Sequence, residues 1–104
     1  MAKSEINAGI CGHTSTVIAT MEGKVCKLAI TSTCKAIQTI GQELTEVNPL
    51  QEISLKRGTP QALQVGMKLC YHSACPVPVG IIKATEVAAG LALPKDATIK
   101  VSKE

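Results

Sequence analysis

The chain has 104 residues, a formal net charge of +3, and a composition that is 45% hydrophobic and 18% charged. These proportions exclude a disordered chain and predict a single domain, 1–104, with a modest hydrophobic core. Tyr71 is the one aromatic residue and the lysines are scattered, so we expect no nucleic-acid partner.

Hydropathy and cysteine content indicate where the protein is located and which chemistry its thiols serve. No apolar run approaches the roughly 18 residues that a membrane span needs, and the first residues lack the apolar core of a signal peptide. We therefore expect a cytoplasmic protein with no membrane partner. Five cysteines in such a chain indicate metal or thiol chemistry more than structural disulfides.

Strands are predicted before any helix. Residues 6–10 form a short first strand, which a turn at Gly12 ends. Alternating and β-branched residues predict a hairpin of strands 16–21 and 25–32, joined by a Glu-Gly loop. In the second hairpin strand the alternation places Cys26 on the apolar face, where we expect it to pack in the core.

Helical patterns follow the hairpin. Apolar residues recur every three or four positions, with proline or cap residues before them and glycine or proline after them. Thr33 is the predicted N-cap of the first helix, and Gly66 either weakens the third helix or allows close packing. On that third helix, Leu63, Met67 and Cys70 are predicted to share one face. The predicted helices are 34–46, 49–56, 60–70 and 77–89.

A last strand is predicted at 97–101, after the turn at Pro94. Because strands come first and helices later, the order predicts an α+β sandwich rather than a parallel α/β fold. The predicted sheet is antiparallel, has three to four strands, and carries the helices on one face.

Four cysteines lie at the ends of predicted elements. Cys11 follows the first strand, Cys34 starts the first helix, Cys70 ends the third and Cys75 starts the last. Thiolates are favoured at helix N-termini, and four thiolates at one edge of the sheet can bind zinc or an iron–sulfur cluster. We single out Cys11, Cys34 and Cys75 as cofactor ligands, whereas Cys70 is equally suited to core packing.

The two histidines each follow a cysteine by two positions and can replace a thiolate ligand. His72 is the stronger candidate, and His13 can equally be an ordinary surface histidine. Cys75 as nucleophile and either histidine as base also form a candidate catalytic pair. No residue that would orient the histidine is evident in the sequence. No phosphate-binding glycine motif is present.

Two resemblances follow from these segments. A small protein family without an established activity, found mainly in anaerobic archaea and bacteria, has segments similar to INAGICGHTSTV, ITSTC and HSACPVPVGIIKATEVAAGLALPKD of this chain. This resemblance covers nearly the whole chain and implies an anaerobic setting.

The order of the cysteines also resembles the iron–sulfur scaffold proteins of the IscU/NifU type. Cys11 with its following glycine matches that family's first cysteine turn, Cys34 its second cysteine, and Cys75 its third. His72 is similar to the family histidine but lies three residues before the cysteine instead of next to it. His13 replaces the family aspartate that assists cluster release. The resemblance implies a cluster site and a protein partner in iron–sulfur or sulfur metabolism.

The leading hypothesis is a small metal-binding protein that holds zinc or an iron–sulfur cluster through Cys11, Cys34 and Cys75, with Cys70 or His72 as fourth ligand. One alternative is a thiol redox or sulfur-carrier protein in which Cys75 reacts and Cys70 resolves. Another is an interaction module whose cysteines only pack. Catalysis by the polypeptide alone is less favoured than any of these hypotheses.

Overall fold

A computed structural model describes residues 1–104 and shows an α+β fold, as predicted. Four antiparallel strands form one sheet in the order β1-β2-β3-β4, and the helices cover one of its faces. No helix is long and apolar enough to cross a membrane. The elements are β1 Ala2–Asn7, β2 Thr14–Glu22, β3 Val25–Ser32, α1 Lys35–Glu43, β4 Glu46–Val47, α2 Pro49–Glu52, a 3₁₀ helix Leu55–Arg57, α3 Gln61–Leu69 and α4 Val77–Ala88.

The β2–β3 hairpin is confirmed and forms the centre of the sheet. Its register pairs Val17 with Ile30 and Ala19 with Leu28, and all four side chains are buried beneath the helices. Cys26 lies on the same face and is fully buried, as the alternation predicts. The core therefore lies between this face of the hairpin and the helices.

The first strand lies earlier than predicted. β1 ends at Asn7, whose side chain accepts a hydrogen bond of 3.0 Å from the Gly9 backbone N–H. This local turn removes residues 8–10 from the strand, because an asparagine side chain can replace the backbone partner that a strand would supply. The prediction of a strand at 6–10 is therefore wrong beyond its first two residues.

The fourth strand is also not the one predicted. Residues 97–101 have no strand partner in this chain, whereas Glu46–Val47 pairs with Cys26 and Lys27 of β3. The predicted first helix, 34–46, ends early because these residues turn toward the sheet edge instead. There Val47 is buried against the core, so tertiary packing outweighs helical periodicity.

The other helices start and end within a few residues of their predicted bounds. The predicted helix 49–56 is split, because the Ser54 hydroxyl accepts from the Lys56 backbone N–H and starts a separate 3₁₀ turn. The N-cap of α1 is Cys34, not Thr33, and its side chain makes no capping hydrogen bond. Helix α3 starts one residue later than predicted and α4 ends one residue earlier.

Helix α3 buries a different face from the one predicted. Its buried residues are Ala62 and Gly66, whereas Met67 is 74% exposed. Its first backbone N–H groups, those of Gln61 and Ala62, donate to the carboxylate of Glu52 at 2.8 and 2.9 Å. This buried carboxylate caps the helix from outside it and fixes its position against α2.

Helix α4 lies across β1 and β2 and joins them to α3. Gly80 lies so close to Ile6 that no side chain fits between them, and the Ser4 hydroxyl donates to the Gly80 carbonyl at 2.8 Å. The helix ends as its sequence predicts: Gly90 adopts φ +74° and its N–H donates to the Val87 carbonyl. The contacts of Gly80 with β1 hold the first turn of α4 at the end of the sheet where β1 finishes.

Candidate functional site

A cavity of about 260 Å³ lies at the end of the sheet where β1 finishes and β2 begins. It is open to solvent on one side, and most of its wall is apolar. Six of its lining residues are the cysteines and histidines that the sequence singles out: Cys11, His13, Cys34, Cys70, His72 and Cys75. The structure thus brings all the predicted site residues around one space, although they come from separate segments.

Each of the four cysteines lies at the boundary of an element. Cys11 is exposed in the turn between β1 and β2, and Cys34 is the half-buried N-cap of α1. Cys70 is the C-cap of α3, and Cys75 immediately precedes the N-cap of α4; both are half-buried. The cavity is therefore lined where four segments end, which explains how residues so far apart in sequence converge.

Cys34 is held by a small network of hydroxyl groups. The Ser32 hydroxyl accepts from the Cys34 backbone N–H at 3.0 Å, accepts from the Ser15 hydroxyl at 2.8 Å, and donates to the Thr14 carbonyl at 3.2 Å. One hydroxyl thereby ties together the start of β2, the end of β3 and the start of α1. The network fixes the backbone of Cys34 relative to the sheet.

His13 is fixed by the residue next to Cys34. Its Nδ1 atom lies 2.9 Å from the Thr33 hydroxyl oxygen, which also accepts from the Thr14 backbone N–H at 3.3 Å. Thr33 was predicted to cap α1, but it holds the histidine and the start of β2 instead. With Nδ1 in this hydrogen bond, Nε2 is the ring nitrogen that lies free of protein hydrogen bonds.

Three of the cysteines interact electrostatically. Burial, followed by the charge and hydrogen bond of Cys75 and the charge of Cys34, raises the pKa of Cys70 to about 12. Cys70 therefore keeps its proton at neutral pH while no cation is present to balance negative charge in the cavity. Cys34, Cys70 and Cys75 all line the cavity, so a negative charge on one of them disfavours a charge on another.

The arrangement is not that of a preformed site for one ion. No group of three or more His, Cys, Asp or Glu side chains converges closely enough to hold a single metal ion. The four cysteines that line the cavity come instead from four separate segments. Cys26 takes no part, since it is buried in the core, and burial raises the pKa of its thiol.

Several residues at or near the cavity were not predicted from the sequence. Ser15 lines the cavity and Ser32 binds the Cys34 backbone N–H, but serines in strands carry no distinctive pattern. Ile10 and Tyr71 are exposed apolar residues beside the cavity, 106% and 74% exposed. The available signal for Ser32 was its position two residues before Cys34, a spacing at which serine hydroxyls commonly bind a backbone N–H.

Comparison with known proteins leaves the function open. No curated protein and no solved structure matched the chain. One family model did match, and it covers residues 2–101, which is nearly the whole length. On that match the chain belongs to DUF6951, a family of unknown function.

Proposed function

We propose that the protein binds an iron–sulfur cluster in the cavity through Cys11, Cys34, Cys70 and Cys75. The observation that carries this proposal is the convergence of four cysteines from four separate segments on one cavity of about 260 Å³. Cys34, Cys70 and Cys75 also pack against the core, but unlike the fully buried Cys26 they line an opening. Four cysteines at the wall of one opening suit a ligand set.

The charge balance supports a cationic occupant. Burial and the neighbouring Cys75 raise the pKa of Cys70 to about 12, so several thiolates together are disfavoured around the cavity unless a cation balances their charge. A bound metal supplies the positive charge that removes this repulsion and displaces the thiol protons. Loading is therefore expected to release protons and to weaken as the pH falls.

We favour a cluster over a single zinc ion as the occupant of the cavity. A tetrahedral zinc site needs all its sulfur atoms within about 2.3 Å of one point. No such convergence of three ligands exists here. An iron–sulfur cluster instead places iron and sulfide between the cysteine sulfurs, so its ligands lie farther apart around a central space. The cavity is also several times the roughly 30 Å³ that one water molecule occupies in the liquid.

The test is anaerobic reconstitution of the reduced protein with ferrous iron and sulfide. We expect iron and sulfide to be retained through gel filtration, with visible absorption of thiolate-bound cluster. Cys34→Ala and Cys75→Ala should each lose most of that absorption. Cys26→Ala is the matched control, since it removes a cysteine that lies outside the cavity. Retention of zinc without iron, or equal retention by all three variants, would overturn the cluster assignment.

A second candidate function is thiol–disulfide exchange, favoured by the position of Cys70 and Cys75 on the wall of the same cavity. In that reaction Cys75 attacks a small disulfide, and Cys70 then closes an intramolecular disulfide. Two thiols lose two protons and two electrons, and the external disulfide is reduced to two thiols. Mass spectrometry after incubation with oxidised glutathione tests this. A stable mixed disulfide at Cys11 alone would argue against the pair.

Other expectations from the sequence extend this proposal. A cytoplasmic location fits it, because reduced thiols persist there. An anaerobic setting would protect an exposed cluster from oxygen. Transfer of a cluster to a partner protein, which the likeness to scaffold proteins implies, remains a prediction. If the protein binds no metal and forms no disulfide, the hypothesis of an interaction module whose cysteines only pack would apply instead.

A further inference from the structure

The segment 97–101 combines strand-like sequence with complete exposure. Every residue from Leu93 to Glu104 is exposed, and none from residue 92 onward makes a backbone hydrogen bond. Ile99 and Val101 are 81% and 90% exposed. Apolar side chains alternate here with Thr98 and Lys100, which is the pattern of a strand with one buried face.

The sheet has one open edge that such a segment can join. β1 pairs only with β2, so half of its backbone N–H and C=O groups face outward without a partner. The opposite edge is closed along most of its length. There β4 pairs with the first part of β3, and Gly41 of α1 lies against the Ile30 carbonyl of its later part.

The two faces of β1 match the two faces of the segment. Ser4 and Ile6 point toward the helices and are half-buried, whereas Lys3 and Glu5 point to the open face. A strand added beside β1 with Ile99 on the helix side would extend the apolar layer. It would also place Lys100 on the open face with the charged pair. Both β1 and the segment lie within the residues that the family model matches.

We infer that segment 97–101 of one copy adds as a strand to the free edge of β1 in a second copy of this chain, and that the exchange is reciprocal in a two-fold dimer. Addition of a strand satisfies the outward backbone groups of β1 and buries Ile99 and Val101. Reciprocal exchange uses the same surface twice, which is the ordinary form of a closed dimer. This inference does not depend on the proposed cluster.

The test measures the mass of the full chain by light scattering across the micromolar range, together with amide hydrogen exchange. We expect a dimer and protected amides at 97–101. Ile99→Asp should give a monomer whose circular dichroism is unchanged and whose 97–101 amides exchange freely. Leu55→Asp is the control, because Leu55 is 71% exposed on a different surface and its variant should remain dimeric.

Three outcomes would overturn the inference. A chain that is monomeric at every concentration, with unprotected amides, has no such interface. A monomer with protected 97–101 amides pairs the segment within its own chain. A dimer that persists in Ile99→Asp forms through another surface.

Discussion

Gly66 of α3 packs directly against Pro78 of α4, so closely that a Cβ atom at residue 66 would lie 2.6 Å from Pro78 Cγ. The same Cβ would lie 4.0 Å from Cys70 Sγ. Cys70 follows Gly66 by one helical turn, and Cys75 precedes Pro78 by three residues. The helix contact therefore sets the distance between the two cysteines across the cavity.

Gly66→Ala is expected to destabilise the fold. The added methyl group meets a rigid proline ring, and overpacking of this kind costs about 1–3 kcal/mol. The better helix propensity of alanine offsets about 1 kcal/mol of that loss. Urea unfolding measures the difference, and Met67→Ala on the exposed face of the same helix should be nearly neutral. An increase in stability for Gly66→Ala would show that the helices separate without cost.

Glu52→Gln should lower the free energy of unfolding by about 1–3 kcal/mol. The carboxylate of Glu52 is buried and accepts from two backbone N–H groups, whereas glutamine offers only one neutral oxygen. Glu46→Gln is the comparison, since its ion pair with Lys27 is exposed and should contribute less than about 1 kcal/mol. Thermal or urea unfolding of both variants measures this. Similar losses in the two would contradict a special role for the buried carboxylate.

The metal-free, reduced protein should lose stability at alkaline pH. An unfolded cysteine ionises near a pKa of about 8.5, whereas the folded pKa of Cys70 is about 12. Between these values the unfolded state has lost a proton that the folded state keeps, so the free energy of unfolding falls as pH rises. Urea unfolding at about pH 8 and about pH 10 measures the slope, which should be shallower in Cys70→Ser. Equal slopes would contradict the raised pKa.

Alkylation should follow exposure and proton affinity. In the reduced protein with iodoacetamide near neutral pH, Cys11 is expected to react first, because it is exposed. Cys26 should react only on unfolding, since it is fully buried, and Cys70 slowly, since it retains its proton. Peptide mapping by mass spectrometry gives the order. Early modification of Cys26 would show that the sheet opens readily.

The parts of the fold that follow from local sequence are those with local causes. The hairpin was predicted because its residues are β-branched and roughly alternating, and the end of α4 because Gly90 suits a positive φ. Strand β4 was missed, since two residues carry no periodicity and Val47 pairs only because the sheet edge lies nearby. The face of α3 was wrong because contact with Pro78 selects a glycine, not the larger Met67.

The sequence was enough to predict which cysteines and histidines line the cavity, but not how they are arranged around it. Cysteines at element ends indicated which residues to consider, and all of them line the cavity. Nothing in the sequence indicated that Thr33 would bind His13, because that contact joins β2 to the start of α1. The separation of the sulfur atoms likewise depends on how α3 and α4 pack, which no local pattern encodes.

The Ser32 hydroxyl links the last residue pair of the β2–β3 hairpin to the backbone of Cys34. Local opening of this end of the hairpin is therefore expected to affect the backbone of Cys34. When the ends of β2 and β3 separate, Ser32 loses the Thr14 carbonyl and the Ser15 hydroxyl, so the hydroxyl that accepts from the Cys34 N–H is no longer tied to β2. Occupancy of the cavity would accordingly slow fraying of the sheet at Thr14, and a tighter sheet end would retain its occupant longer. Retention of a ligand by the cavity and fraying at this end of the sheet would therefore be coupled through the Ser32 hydroxyl oxygen.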